Sequence, residues 1–286
     1  MNQLPSLNIP ASYNYVGVFL TLSCNLSCSY CINHLVGLKQ GRRLLNASEW
    51  AMGLSRLKMA TSIPLTLQGG EPTIHKDFYQ IVQQIPDEFE LDLLTNIQFD
   101  PKEFAEKISR KKFNREAPYS PIRVSYHPET MNREETLFKV IELREAGFNV
   151  GVFGVLHPKQ QESILEAQKL FSEHGIDFRT KEFLGMEEGK LYGTYSYPDA
   201  VFSKTVRSCL CKTSELLIDP FGAVFRCHHD LYNNLNPVGH ILDPDYQIKD
   251  EFSRCDFFGK CNPCDVKLKN NRHQEFGHTS VEIKFN

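Results

Sequence analysis

Between residues 15 and 183 the sequence switches repeatedly between a period of two and a period of about 3.6, and this alternation restricts the fold more than any other feature. Strand patterns are predicted at 15–21, 64–68, 90–95, 121–125, 149–155 and 177–183. Helix patterns lie between them at 48–59, 78–85, 101–109, 133–146 and 163–174. Ser48 stands near the N-cap of the first helix, and Gly147 and Gly175 stand where C-caps are expected before a strand. Such units build a parallel sheet with right-handed crossovers and outer helices, so the expected class is α/β. Six strands suggest an open sheet or a partial (β/α)6 barrel, whose ligands gather at the carboxyl ends of the strands.

The alternation stops after Phe183. Residues 184–206 have no clear period and read as a linker or a substrate-covering loop. From Cys209 onward the chain is dense in Cys, Asn, Asp and Pro, with a hairpin expected across 216–219, 220–222 and 223–226. The expected organisation is an N-terminal extension (1–14), an α/β core (15–184), a linker (185–208) and a small cysteine-rich hairpin and loop domain (209–286). So short a region needs a metal to hold it together.

With 35 acidic and 32 basic residues spread along 286, the chain carries no electrostatic footprint for nucleic acid or an anionic membrane. Residues 1–14 lack the pattern of a signal peptide, and no apolar run reaches the 18 or more residues that span a bilayer. A soluble, cytoplasmic protein acting on a small or peptidic substrate is expected. In that setting nine cysteines are better read as metal ligands or catalytic thiols than as a disulfide framework. Three of them, Cys24, Cys28 and Cys31, directly follow the first strand; the other six lie between Cys209 and Cys264. Two separate cysteine sites follow.

Iron–sulfur clusters are held by thiolates, and a cubane ordinarily takes four. Cys24, Cys28 and Cys31 supply three on one short loop, which leaves one iron open to a substrate or cofactor. A zinc site with His34 as fourth ligand, or three unrelated buried thiols, are the competing readings. Gln68-Gly69-Gly70-Glu71-Pro72 follows the second strand, where glycines let backbone approach a ligand and a carboxylate can take an ammonium group. A plain turn is the alternative there.

Cys-x3-Cys-x2-Cys after the first strand, with Tyr30 before the last cysteine and Gly-Gly-Glu-Pro after the second strand, resembles the radical S-adenosylmethionine (SAM) superfamily over residues 15–183. The resemblance implies that Cys24, Cys28 and Cys31 bind a catalytic 4Fe–4S cluster whose open iron chelates SAM. It further implies that Gly69, Gly70 and Glu71 receive the SAM amino group, with Gln68 a further cofactor-binding candidate. Thr95, Asn96 and Ser125, at strand ends, are candidates for further SAM contacts. Many relatives carry an Asp shortly after that serine; here the run is Ser125-Tyr126-His127-Pro128, which makes His127 a candidate site residue. Arg179 is a candidate partner of the SAM carboxylate, or of a surface acid.

In the C-terminal part, Cys209 or Cys211 followed by Gly222-x4-Cys227 resembles the start of the SPASM or shorter twitch extension, which carries an auxiliary iron–sulfur cluster. The expected ligands are Cys209 or Cys211 with Cys227, Cys261 and Cys264, and Cys255 is a rival for a late position. A zinc ribbon is the alternative. Cys227-His228-His229-Asp230 adds polar groups that serve either as acid–base groups or only to solvate the cluster.

Together these features imply an oxidoreductase that cleaves SAM to a 5′-deoxyadenosyl radical and takes hydrogen from its substrate, fed by a low-potential donor such as flavodoxin or ferredoxin. A small polar metabolite of sugar, aminocyclitol or nucleoside type is the expected substrate. Peptide modification is the second reading; the roughly fourteen residues before the first strand are too few for a leader-binding domain. A non-enzymatic metal-binding module is the third.

Overall fold

The computed structural model describes residues 4–31, 42–269 and 278–285. In chain order the strands are β1 (Leu7–Ile9), β2 (Tyr15–Thr21), β3 (Leu57–Met59), β4 (Leu65–Gly69), β5 (Leu91–Thr95), β6 (Ile122–Tyr126), β7 (Val150–Leu156) and β8 (Phe178–Glu182). They continue with β9 (Gly185–Glu187), β10 (Lys190–Tyr192), β11 (Arg207–Thr213), β12 (Glu215–Ile218), β13 (Ala223–Phe225), β14 (Gly239–His240), β15 (Ser253–Phe258) and β16 (Val281–Lys284). The α-helices are α1 (Ala47–Ser55), α2 (Phe78–Gln84), α3 (Pro101–Lys107), α4 (Arg133–Glu145), α5 (Gln161–Glu173), α6 (His228–Asn233) and α7 (Pro263–Val266). The described residues fall into two compact units, one within Phe19–His34 and Pro64–Phe183, the other within Met1–Val18, Leu35–Ile63 and Leu184–Asn286.

The first of these units is the α/β part. Strands β4 to β8 are hydrogen-bonded in sequence order, each pair parallel, with the end of β2 beside β4. Six strands with intervening helices make the open, partial barrel that the alternating periods predict. Strand residues Leu65, Leu67, Leu91, Leu93, Ile122, Val124 and Val152 are wholly buried, as expected of a sheet covered by crossover helices. Asp100 caps α3 by accepting from Lys102 N and Glu103 N, with Pro101 supplying the preset φ of the first turn. Asn132 caps α4 through Glu135 N at 2.8 Å. Gly147 (φ +88°) and Gly175 (φ +65°) end α4 and α5 in the left-handed conformation.

A buried ion cluster braces this unit. Asp92, on β5, accepts from Arg115 at 2.6 Å and 3.0 Å, from Arg123 at 2.9 Å and from the Tyr119 hydroxyl at 3.1 Å, and all four side chains are buried. Two guanidiniums and a phenol leave little of that carboxylate unsatisfied, which is what makes a buried charge tolerable.

In the second unit, α1 ends at Ser55, four residues short of the expected end at Met59. Arg56 is buried and spends its guanidinium on the carbonyls of Pro5, Ile241 and Asp243, so Leu57–Met59 leaves the helical path and pairs in parallel with Leu7–Ile9. The N-cap is Asn46 rather than Ser48: Asn46 Oδ1 accepts from Glu49 N, and Glu49 Oε2 accepts from Asn46 N, a reciprocal capping box. Residues 184–206, expected as a linker, contain the β9–β10 hairpin, whose turn residues Glu188 (φ +50°) and Gly189 (φ +76°) both lie in the left-handed region.

The expected C-terminal hairpin forms between β12 and β13, with Leu217 opposite Phe225 and Asp219 Oδ1 accepting from Phe221 N and Ala223 N in the turn. It does not stand by itself. Strand β12 lies parallel to the first half of β2, Glu215 to Ile218 against Tyr15 to Val18. Strands β15, β11 and β16 form a separate antiparallel sheet that carries Cys209, Cys211 and Cys255. Among the described residues no helix is long and apolar enough to cross a membrane.

Candidate functional site

The loop after β2 holds Cys24, exposed, Cys28, buried, and Cys31, half-buried, all as free thiols. Burial pushes the Cys28 thiol up to about 11, and the proximity of Cys31, Glu129 and Cys24 adds to the rise. Burial also raises Cys24, again with Cys31 and with Glu71 contributing. A metal that takes thiolates would reverse the cost of ionising Cys24 and Cys28. His34 lies outside the described residues.

Three successive residues of this loop are clamped by the turn after β6. Cys28 Sγ lies 3.5 Å from Thr130 Oγ1. Ser29 donates both its backbone N–H and its hydroxyl to the Glu129 carboxylate, the hydroxyl at 2.9 Å. The Tyr30 hydroxyl meets His127 Nδ1 at 2.8 Å, and its ring stacks on His157 with centroids 5.1 Å apart. Burial holds the His127 imidazole down at about 4, so at neutral pH it is uncharged. His127 therefore positions the loop, and Glu129 and Thr130, which carry no local sequence signal, do the same.

Gly69 and Gly70 are required by the protein's own backbone. A Cβ on Gly69 would sit 1.9 Å from the Thr21 carbonyl oxygen and one on Gly70 2.1 Å from that of Ser23. Gly69 also has φ +146°. The lack of side chains lets Gly70 N and Glu71 N donate to those same carbonyls at 2.8 Å and 2.9 Å, which lays the end of β4 against the start of the cysteine loop.

Glu71 is buried and engaged by protein donors. Its Oε1 accepts from Thr73 N, Thr73 Oγ1 and Thr95 Oγ1, and its Oε2 from Asn96 N. A plain turn thus does require a glutamate here: the carboxylate caps the short helical turn Pro72–Ile74 and fixes the end of β5. Burial raises its pKa, and the four donors work against that rise. Asn96 in turn donates Nδ2 to Asn25 Oδ1 at 2.7 Å and lies 3.6 Å from Cys24 Sγ. Gln68 Nε2 is buried with no hydrogen-bond partner among the described residues, a donor in want of a ligand acceptor. Ser125 carries no side-chain hydrogen bond there. Arg179 is turned elsewhere: it pairs with Asp177 at 2.8 Å and donates to the Pro118 carbonyl, both ahead of the strands' amino ends, so its surface-acid reading matches the geometry and its SAM-carboxylate reading does not.

The Radical SAM superfamily profile matches residues 18–177, more than half the chain. The chain belongs to the radical SAM superfamily. As a member it binds a 4Fe–4S cluster and SAM; the loop after β2 carries three thiols, Cys24, Cys28 and Cys31, one fewer than a cubane ordinarily takes. A probable GTP 3′,8-cyclase of Methanopyrus kandleri is 32% identical over 81 residues, 28% of this chain and 26% of that one. An S-adenosylmethionine-dependent nucleotide dehydratase of Selenomonas ruminantium is 31% identical over 91 residues, 30% of this chain and 32% of that one. A PqqA peptide cyclase of Rhodopseudomonas palustris is 37% identical over 78 residues, 27% and 20% respectively. The chain therefore spans less than a third of the length of these curated relatives. The solved structure of native anSMEcpe with bound AdoMet and Cp18Cys peptide shares the fold at TM-score 0.56 and 16% identity, covering 84% of this chain and 78% of that one.

The C-terminal cysteines also converge. Cys209 and Cys211, two apart on β11, project to one face, and Cys255 lies opposite Cys209 on β15. The three sulfurs are mutually within 4.8 Å, with Cys209 and Cys211 3.5 Å apart. A small cavity is lined by Cys211, Cys227, Cys255 and Cys261. This gathering of thiols supports the auxiliary cluster of a radical SAM protein. Cys255, a rival by sequence, stands in the group, whereas Cys264 does not line the cavity. His228 donates its backbone N–H to buried Asp265 and sets Nδ1 2.9 Å from the same oxygen; Asp230 pairs with Arg226 at 3.1 Å. Those two polar groups of the Cys227–Asp230 run are spent on structure, and His229 is the one that reaches the cavity.

Proposed function

We propose that the chain cleaves SAM reductively and uses the 5′-deoxyadenosyl radical to take a hydrogen atom from a nucleotide, with net oxidation or rearrangement of that substrate. One arrangement carries this reading: three cysteines on a loop clamped by His127, Glu129 and Thr130 on one side and by Gly70, Glu71 and Asn96 on the other. Cys24, Cys28 and Cys31 would hold a cluster that supplies one-electron reduction of SAM, and the C-terminal cysteines one that would supply an electron acceptor. The protein's own groups supply position. Glu71 holds Thr95 and Asn96, Asn96 orients Asn25 beside Cys24, and Gln68 Nε2 offers a donor to SAM. Neutral His127 holds Tyr30, and with it the loop, without adding charge.

The nucleotide is preferred over a sugar or aminocyclitol because two of the relatives named above act on nucleotides by name. A peptide is the second reading, favoured by the peptide cyclase at 37% identity. A low-potential donor such as flavodoxin or ferredoxin, in the reducing cytoplasm that keeps nine thiols free, completes the scheme.

The test is release of 5′-deoxyadenosine by anaerobically reconstituted protein given SAM and a strong reductant. Ribonucleoside triphosphates should accelerate it; acceleration by peptides alone selects the second reading. Undiminished release by the C24A/C28A/C31A variant overturns both.

A further inference from the structure

Beside the C-terminal cysteine cavity, two buried side-chain nitrogens have no hydrogen-bond partner among the described residues. They are Arg226 Nε and His229 Nε2, and both side chains line the cavity shared by Cys211, Cys227, Cys255 and Cys261. Leaving an N–H buried and unpaired is costly, so native proteins rarely do it without a missing acceptor.

The remainder of each side chain is fixed. Arg226 donates one terminal nitrogen to Ser253 Oγ at 2.7 Å and to the Arg254 carbonyl at 3.0 Å, and the other to Asp230 at 3.1 Å. Those bonds set the plane of the guanidinium and leave Nε as its one nitrogen without an acceptor among the described residues, while Asp230 compensates the charge. His229 Nδ1 lies 3.5 Å from Asn233 Nδ2, an amide nitrogen that only donates. That amide donates one hydrogen to the His229 carbonyl at 2.8 Å, and with its second hydrogen turned to Nδ1 the imidazole carries its proton on Nε2. The His229 ring is also held against Phe257, with centroids 5.1 Å apart.

We propose that Arg226 Nε and His229 Nε2 donate hydrogen bonds to the sulfur atoms of the auxiliary cluster and raise its reduction potential, which fits it to accept an electron. One-electron reduction adds negative charge to those sulfurs, so N–H···S bonds strengthen in the reduced form and stabilise it. This assignment presupposes that the C-terminal cysteines hold an iron–sulfur cluster, as in the proposed function.

The test is a redox titration, followed by electron paramagnetic resonance, of the full chain bearing C24A/C28A/C31A, so that only the C-terminal cluster is read. His229→Leu and Arg226→Lys should each shift the oxidised-to-reduced ratio at a fixed potential about tenfold towards oxidised, a midpoint lower by about 59 mV for one electron. His229→Gln, which keeps an N–H donor, should recover the midpoint. Unchanged midpoints in both loss-of-donor variants overturn the proposal. Should a variant fail to retain iron, hyperfine spectroscopy on the chain with only arginine or only histidine 15N-labelled decides instead: nitrogen couplings to the reduced cluster are expected, and their absence overturns it. Zinc in place of iron at this site would overturn the cluster itself, an outcome the metal content reports separately.

Discussion

Asn96 donates its backbone N–H to Glu71 Oε2 across 2.6 Å, while the neighbouring Thr95 hydroxyl holds Oε1 of the same carboxylate at 2.8 Å. Glu71→Gln puts an amide NH2 among four donors, and one of them must lose its acceptor. A loss of about 1–3 kcal/mol in denaturant unfolding is expected. SAM affinity, read by calorimetry, should weaken about tenfold, the equivalent of 1.4 kcal/mol, because Asn96 no longer holds Asn25.

Gly69→Ala and Gly70→Ala each place a methyl group inside the van der Waals radius of a backbone carbonyl, Thr21 or Ser23. Strand β4 must then part from the cysteine loop. Iron content of the reconstituted protein should fall by about four per chain, the complement of one cubane, with the C-terminal iron retained. Full iron in both variants would sink the argument.

Asp92→Asn leaves Arg115 and Arg123 buried without their counter-charge. A destabilisation of about 3–5 kcal/mol is expected by thermal or denaturant unfolding. A loss under 1 kcal/mol would show that the cluster is not a buried charge network.

His127 carries a folded-state pKa of about 4 against an ordinary 6.5 because burial disfavours the imidazolium. Between those values the unfolded chain binds a proton that the folded chain refuses, so stability falls as pH drops through this window and is complete above 6.5. His127→Gln should remove that part of the acid sensitivity, measured as the difference in unfolding free energy between pH 7 and pH 4.5.

Local periodicity made the six parallel strands and the helices between them legible, because strand and helix each repeat within a few residues. Longer-range causes were not. Helix 48–59 reads as continuous because Leu57 and Met59 keep the apolar spacing, while the reason it stops is Arg56 reaching carbonyls at Ile241 and Asp243. The parallel pairing of β12 with β2 has no local trace either. At the first site, Cys24, Glu71, Thr95 and Asn96 all stand out in sequence, but that the last two donate to Glu71 does not. Glu129 is one acid among 35 until its loop meets Ser29. At the second site, Cys209 and Cys211 share a face by strand alternation, whereas the place of Cys255 depends on register with β11.

That register has a chemical cost for the protein before any cluster is inserted. Cysteines directly opposite on neighbouring antiparallel strands have Cα separations of about 4.5–5.5 Å, inside the range a disulfide tolerates. Cys255 stands opposite Cys209 and within 4.8 Å of both Cys209 and Cys211 sulfurs. In air, two of these thiols can give up two electrons and two protons to dioxygen and close a cross-strand bridge, removing two candidate ligands at once. Iron and oxidant thus compete for the same sulfurs, and the order of their arrival decides whether a newly made chain matures or is locked empty until a reductant reopens it.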